Sequence, residues 1–207
     1  MKSHGGFDSL VGIYDWMVGL VFGSAIRRAQ IALIEQVSDN KEWLIIGGGT
    51  GWILEEIFKV HQNASITYVE ASQKMIDRAK KRDIRGKVNY ILGSIDQFPE
   101  QAQYDVVLTA FFWDMFQTSQ ALRMKSLINQ KVKKDAIWLL ADFKNTDIWW
   151  QKILMKAMYG FFRTICRIEA SELPDFSQIF NKDEHTIDFQ DTFYHGMIES
   201  TVYNYKK

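Results

Sequence analysis

The chain has 207 residues, 47% hydrophobic and 24% charged, the balance of a globular domain large enough to bury a full core. Its 25 Lys+Arg equal its 25 Asp+Glu, which excludes a whole-chain charge excess directed at nucleic acid. One cysteine, Cys166, excludes an internal disulfide, and "MKSHGGFDSL" lacks a basic-then-apolar leader, so the expected location is cytoplasmic.

Residues 1–40 read as two helices that cap the fold. Within them, residues 10–26 form the most apolar early stretch. Asp15 and several glycines interrupt it, and it is shorter than the ~20 residues of a spanning helix. A buried or interfacial amphipathic helix is the expectation. "EWLII" (42–46) is a short apolar run ending in glycine, the pattern of a buried strand. "WILEEIFKV" (52–60) places Ile53, Ile57 and Val60 at helical spacing. "SITYVE" (65–70) alternates and is β-branched, a second strand. "SQKMIDRAKKR" (72–82) is a polar-faced helix with Ser72 as N-cap. Strands follow at 87–94 and 104–111, then a helix at 120–132 with Leu122, Leu127 and Ile128 inward, then a strand at 135–143.

Strands alternating with helices at this spacing predict an α/β fold, a Rossmann-like doubly wound sheet that is mostly parallel. The rhythm then changes. Residues 147–169 read as an aromatic helix, and 185–205 as an antiparallel hairpin around His195-Gly196. The whole is expected to be one domain: a helical cap (1–40), a cofactor-binding core (41–143), and a cap helix with terminal hairpin (144–207).

Ligands of such sheets bind beyond the carboxyl ends of the strands, where strand order reverses. The first strand runs straight into Gly47-Gly48-Gly49-Thr50-Gly51. A P-loop requires Lys after its last glycine, and Trp52 stands there. A dinucleotide fingerprint requires its third glycine at 52, where an indole obstructs close packing. The spacing that fits is G-x-G-x-G, at Gly47, Gly49 and Gly51.

This spacing resembles the first motif of class I S-adenosylmethionine-dependent methyltransferases. The resemblance covers residues 40–143 and, more loosely, the hairpin. It implies S-adenosylmethionine as cofactor, S-adenosylhomocysteine as product, and Gly47, Gly48, Gly49 and Gly51 against the cofactor. Glu70, at the end of the second strand, would accept hydrogen bonds from the ribose hydroxyls, with Ala71 beside it. Ser94, the Ile95 backbone N–H or Asp96 would meet the adenine. "YDVVLTAFFWDMF" is similar to the family's D-x-V-x-x pattern, with Asp105 opening the strand; Phe111, Phe112 and Trp113 follow where the family's loop faces the methyl group, and the resemblance implies cofactor contacts for Ala110 and Phe111. "FDSLVGIYDWMVGLVFG" is similar to the start of the ubiquinone/menaquinone C-methyltransferase type, which implies a cofactor contact for Tyr14. Ile45 stands where the family often carries an acid.

Methyl transfer is an in-line displacement that needs alignment more than a nucleophilic side chain. Where the acceptor must lose a proton, Asp114 and Asp142 are the candidate catalytic bases, with Tyr14 and the four histidines, His61 and His195 among them, behind these. "FFWDMF" (111–116) and "IWWQKILMKAMYGFFRTI" (148–165) point to a small, apolar or aromatic acceptor. Lys152, Lys156 and Arg163 permit peripheral docking on a membrane. Two other functions remain open to these residues: a nicotinamide-dependent reductase, and a non-catalytic module that binds the cofactor.

Overall fold

A computed structural model describes residues 19, 21–38, 41–93, 103–166 and 168–206. Seven strands form one sheet in the order β3-β2-β1-β4-β5-β7-β6. They are β1 (Glu42–Ile46), β2 (Ser65–Glu70), β3 (Lys87–Leu92), β4 (Tyr104–Ala110), β5 (Val132–Phe143), β6 (His185–Phe193) and β7 (Ile198–Tyr205). The first five are parallel; β7 runs antiparallel to β5 and to β6. The expected sheet and terminal hairpin are therefore both present, and the tight turn at 194–197 contains His195 and Gly196.

The helices are α1 (Ala25–Ile34), α2 (Trp52–Val60), α3 (Gln73–Lys80), α4 (Thr118–Asn129), α5 (Trp149–Cys166) and α6 (Phe176–Ile179). They cover both faces, as a sheet with continuous apolar strands demands. Alternation along β5 divides the core. Leu139, Ala141 and Phe143 pack with Ala29 and Leu33 of α1, Ile53 and Ile57 of α2, and Ala79 of α3. Trp138 and Leu140 pack with Ala121 and Ile128 of α4 and Ile179 of α6. Both tryptophan rings at the sheet's centre, Trp43 and Trp138, are fully buried.

Local chemistry fixes the joints. Ser72 Oγ accepts from the Met75 N–H and starts α3, as its position predicts. Asp105 explains the acid at the head of β4: its carboxylate accepts from the Glu42 N–H (3.0 Å) and from Lys133 Nζ (3.0 Å), pinning the entries of β1, β4 and β5. Burial alone would raise this carboxyl, but those two donors outweigh it and hold Asp105 below the usual carboxylate range.

Several boundaries differ from expectation. Helix α4 ends at Asn129 and β5 begins at Val132, three residues before the expected start. Leu122 faces solvent, 38% exposed, and Lys125 is buried in its stead. Lys125 Nζ bonds Glu184 Oε2 at 3.0 Å and lies over the rings of Trp138, Phe180 and Tyr205. Val60 likewise points outward, while Leu54 and Phe58 join Ile53 and Ile57 in the core. Strand β4 ends at Ala110, so Phe111 begins the following turn.

Candidate active site

Strand order reverses between β1 and β4, so the crevice beyond their carboxyl ends is where this topology receives a ligand. The glycine loop occupies that place. Gly47, Gly49 and Gly51 have φ of 69°, 64° and 75°, a left-handed conformation at each position of the G-x-G-x-G spacing. Two of them do different work. A Cβ at Gly51 would lie 2.6 Å from Ala79 Cβ and 3.0 Å from Ala79 Cα, so this glycine lets α3 close onto the loop. A Cβ at Gly49 would meet nothing within 4 Å, so Gly49 presents bare backbone to open space.

The loop is clamped from beneath by side chains at the end of β2. Glu70 accepts from the Gly49 N–H through Oε2 (3.0 Å) and from the Ser72 N–H through Oε1 (2.9 Å). Tyr68 donates its hydroxyl to the Gly49 carbonyl at 2.8 Å, and its ring fills the space that a side chain at Gly48 would need. Burial raises the Tyr68 phenol well above its ordinary range and the charge of Glu70 adds to this, so the hydroxyl remains a donor. Arg82 donates from Nε to the Thr50 carbonyl (2.6 Å) and from Nη1 to Glu55 Oε1 (2.8 Å). Tyr68 and Arg82 were not among the sequence-derived candidates. Their targets are loop carbonyls, and no local spacing announces such bonds.

Trp52 occupies the position where a dinucleotide loop needs glycine. Its ring carries the Arg27 guanidinium of α1 at 5.2 Å, which joins the helical lead-in to the loop. Ile45 is 2% exposed, so the position where the resembling family often has an acid belongs to the core.

The acceptor side begins where β4 ends. Ala110 closes the strand, and Phe111 turns away with φ 51° and packs on Phe143 at 5.1 Å. The Phe112 ring lies against Gly47; a Cβ there would come within 2.9 Å of it. A 3-10 turn, Trp113–Met115, follows. Asp142, near the end of β5, holds this turn. Its carboxylate accepts from the Phe112 N–H (3.3 Å), the Trp113 N–H (3.0 Å) and the Phe143 N–H (2.8 Å). Asp142 is thus committed to backbone donors. Asp114 is different: its Oδ1 is buried and has no hydrogen-bond partner.

Burial raises both carboxyls, Asp114 to about 7, and the charge of Asp114 raises Asp142 further. The Asp114 and Met115 N–H groups counter the rise at Asp114, and the Phe143, Trp113 and Phe112 N–H groups counter it at Asp142. Helix α5 closes over this corner. Tyr159 donates to the Asp114 carbonyl (3.1 Å), and Gln151 Nε2 donates to the His195 carbonyl (3.0 Å).

The histidines lie in structural positions. His61 is 2% exposed and its ring bonds the Ile34 carbonyl at 2.9 Å. His195 sits at the exposed hairpin turn with its ring 5.9 Å from Trp150. Tyr14, Ser94, Ile95 and Asp96 lie outside the described residues. Ala71 is half-buried directly after Glu70.

These features fit S-adenosylmethionine as the ligand: backbone left open at Gly49, with the Glu70 carboxylate bonded to it at the end of β2. The family model described as "Methyltransferase domain" matches residues 44–135. A malonyl-[acyl-carrier protein] O-methyltransferase of Priestia megaterium is 36% identical over 88 residues, covering 39% of this chain and 32% of that protein. A demethylmenaquinone methyltransferase of Chlamydia pneumoniae is 27% identical over 106 residues, covering 51% of this chain and 46% of that protein. The chain thus spans less than half the length of these relatives. Among solved structures, the 1,6-didemethyltoxoflavin-N1-methyltransferase of Burkholderia thailandensis, with its substrate and S-adenosylhomocysteine bound, superimposes with a TM-score of 0.69. It is 11% identical, and the match covers 98% of this chain and 87% of that one.

Proposed function

We infer that this chain, a class I S-adenosylmethionine-dependent methyltransferase by its matched domain and its fold, moves a methyl group onto a small, apolar or aromatic acceptor. The observation that carries the reading is the pairing of Glu70 with Gly49: a carboxylate at the end of β2 bonded to the N–H of backbone on which an added Cβ would meet nothing within 4 Å. When bound, S-adenosylmethionine supplies an electrophilic methyl carbon on a sulfonium. The residues of this chain bind, align and deprotonate around it. Glu70 receives the ribose hydroxyls, and Tyr68 and Arg82 keep the loop in the conformation that allows it. Gly47, Gly48 and Gly51 would complete the cradle with Ala71, Ala110 and Phe111 beside it; the cofactor contacts of Tyr14, Ser94, Ile95 and Asp96 rest on the family resemblance alone.

Asp114 Oδ1 takes the acceptor's proton, since a carboxyl titrating near neutrality is suited to a general base. Asp142 positions it by fixing the turn, and three backbone bonds keep Asp142 itself from that task. The apolar acceptor class follows from the Phe111, Phe112 and α5 side chains at the carboxyl ends of β4 and β5. The chain would act as one domain, peripheral to a membrane where its acceptor is membrane-dissolved.

Calorimetry with S-adenosylhomocysteine tests the reading. Hydrogen bonds to a charged group contribute roughly 1.5–3 kcal/mol each, so Glu70→Ala, losing two from the ribose, weakens binding by about a hundredfold or more. Glu70→Ala also releases the loop, so Tyr68→Phe serves as the control that loosens the loop and leaves the carboxylate. Equal affinity for wild type and Glu70→Ala rejects the ribose role.

A further inference from the structure

Helix α5 has two unlike faces. Gln151 and Tyr159 are buried, and their bonds to the hairpin turn and to the Asp114 segment fix which side faces the sheet. The other side is exposed. At 3.6 residues per turn, Trp149, Lys152, Ile153, Lys156, Gly160 and Arg163 fall on an arc of about 100°. Trp149 is 73% exposed and Ile153 58%, large apolar surfaces with no covering element among the described residues. The cations Lys152, Lys156 and Arg163 lie beside them, and α5 contains no Asp or Glu. Lys152 pairs with Asp147, whereas Lys156 and Arg163 form no salt bridge among the described residues. A shallow depression of about 430 Å³, lined by Gly160, Arg163, Thr164 and Ile168, opens on this side.

We propose that this face of α5 docks on an anionic lipid surface. The charge complements phosphate headgroups, and the indole at the helix start with the isoleucine one turn on suits the headgroup–acyl boundary. A protein partner of acidic character would match the cations and would leave Trp149 and Ile153 unexplained. No described helix is long and apolar enough to cross a membrane, so α5 would lie in the interface plane. The open depression places the Arg163 guanidinium where a lipid phosphate can reach it. Because the same helix covers the acceptor side of the crevice, docking would bring a membrane-dissolved acceptor to the site. That last consequence rests on the methyl-transfer reading; the docking does not.

Cosedimentation of the whole chain with vesicles tests it. The probes are vesicles of phosphatidylcholine alone and vesicles containing about one-third phosphatidylglycerol. Wild type is expected to sediment with the anionic vesicles and lose them as salt rises. Each surface cation contributes enough that Lys152→Glu/Lys156→Glu/Arg163→Glu weakens binding by about a hundredfold or more. Trp149→Ser/Ile153→Ser weakens it while leaving the salt dependence. All five side chains are exposed, and circular dichroism verifies that each variant is folded. Wild type that ignores anionic vesicles overturns the proposal and leaves the face to an acidic protein. Equal binding by the charge-reversed variant, or to neutral vesicles, also overturns it. Calorimetry of the same variants with S-adenosylhomocysteine separates the two readings: retained cofactor binding without vesicle binding removes only the docking.

Discussion

Two glycines of one loop are expected to fail in opposite ways when each gains a methyl group. Both have positive φ, which costs a non-glycine residue about 1–2 kcal/mol. At Gly51 the new Cβ also meets Ala79, including its Cα, so helix α3 must shift; such overpacking costs about 1–3 kcal/mol more. The sum, roughly 2–5 kcal/mol, lowers Tm by about 5–20 °C for a chain of this size. At Gly49 only the backbone term applies, a fall of about 2–8 °C. The N–H to Glu70 survives there, since alanine keeps it. The new methyl group instead stands in the open space assigned to the ligand, and the same overpacking range becomes a loss in affinity of about 5-fold to 150-fold. Thermal unfolding with and without S-adenosylhomocysteine, followed by calorimetry, reads both quantities. Wild-type affinity in Gly49→Ala would refute the placement of the ligand. Wild-type stability in Gly51→Ala would refute the α3 contact.

Other outcomes follow from the same contacts. Tyr68→Phe keeps the ring under Gly48 but leaves the Gly49 carbonyl without its donor, at a cost of about 1–3 kcal/mol in stability and with weaker cofactor binding; a silent substitution would show that the hydroxyl does not hold the loop. Asp114 binds its proton more tightly in the folded state, at about 7, than an unfolded aspartate does. The folded chain therefore loses stability as pH rises from the ordinary carboxylate range through about 7, and Asp114→Asn should flatten that slope in urea midpoints taken at about pH 5 and pH 8. An identical slope in the variant would place the protonation elsewhere.

The parallel part of the sheet was legible because buried strands are continuous apolar runs, and "EWLII" and "VVLTA" allow no other placement. The glycine spacing and Glu70 were legible for a related reason: both are local patterns whose geometry the backbone repeats. What escaped depends on partners distant in sequence. Lys125 is inward and Leu122 outward because Glu184 and three aromatic rings receive the ammonium, and nothing within α4 signals them. The start of β5 was hidden by Lys133-Lys134-Asp135, a polar run with Asp135 at φ 61°, which reads as a turn and is held in the sheet by the Lys133–Asp105 bond. The two acids were both nameable as bases, but the three N–H bonds on Asp142 and the buried, unpartnered Oδ1 of Asp114 depend on how the turn after β4 folds against β5.

The placement of β7 between β5 and β6 has a consequence for the order in which the chain can mature. Ser200 Oγ donates to the Ala29 carbonyl, 171 residues earlier, and the Tyr194 hydroxyl donates to the Val21 carbonyl. Helix α1 therefore has no finished seat until the hairpin has been synthesised, about 10–30 s after α1 itself at typical elongation rates. Through that interval the apolar side of α1, Ala25, Ala29 and Leu33, lacks its final partner, and β5 is an open edge. The nascent chain is thus most exposed to misassembly in the interval between the synthesis of β5 and that of the hairpin.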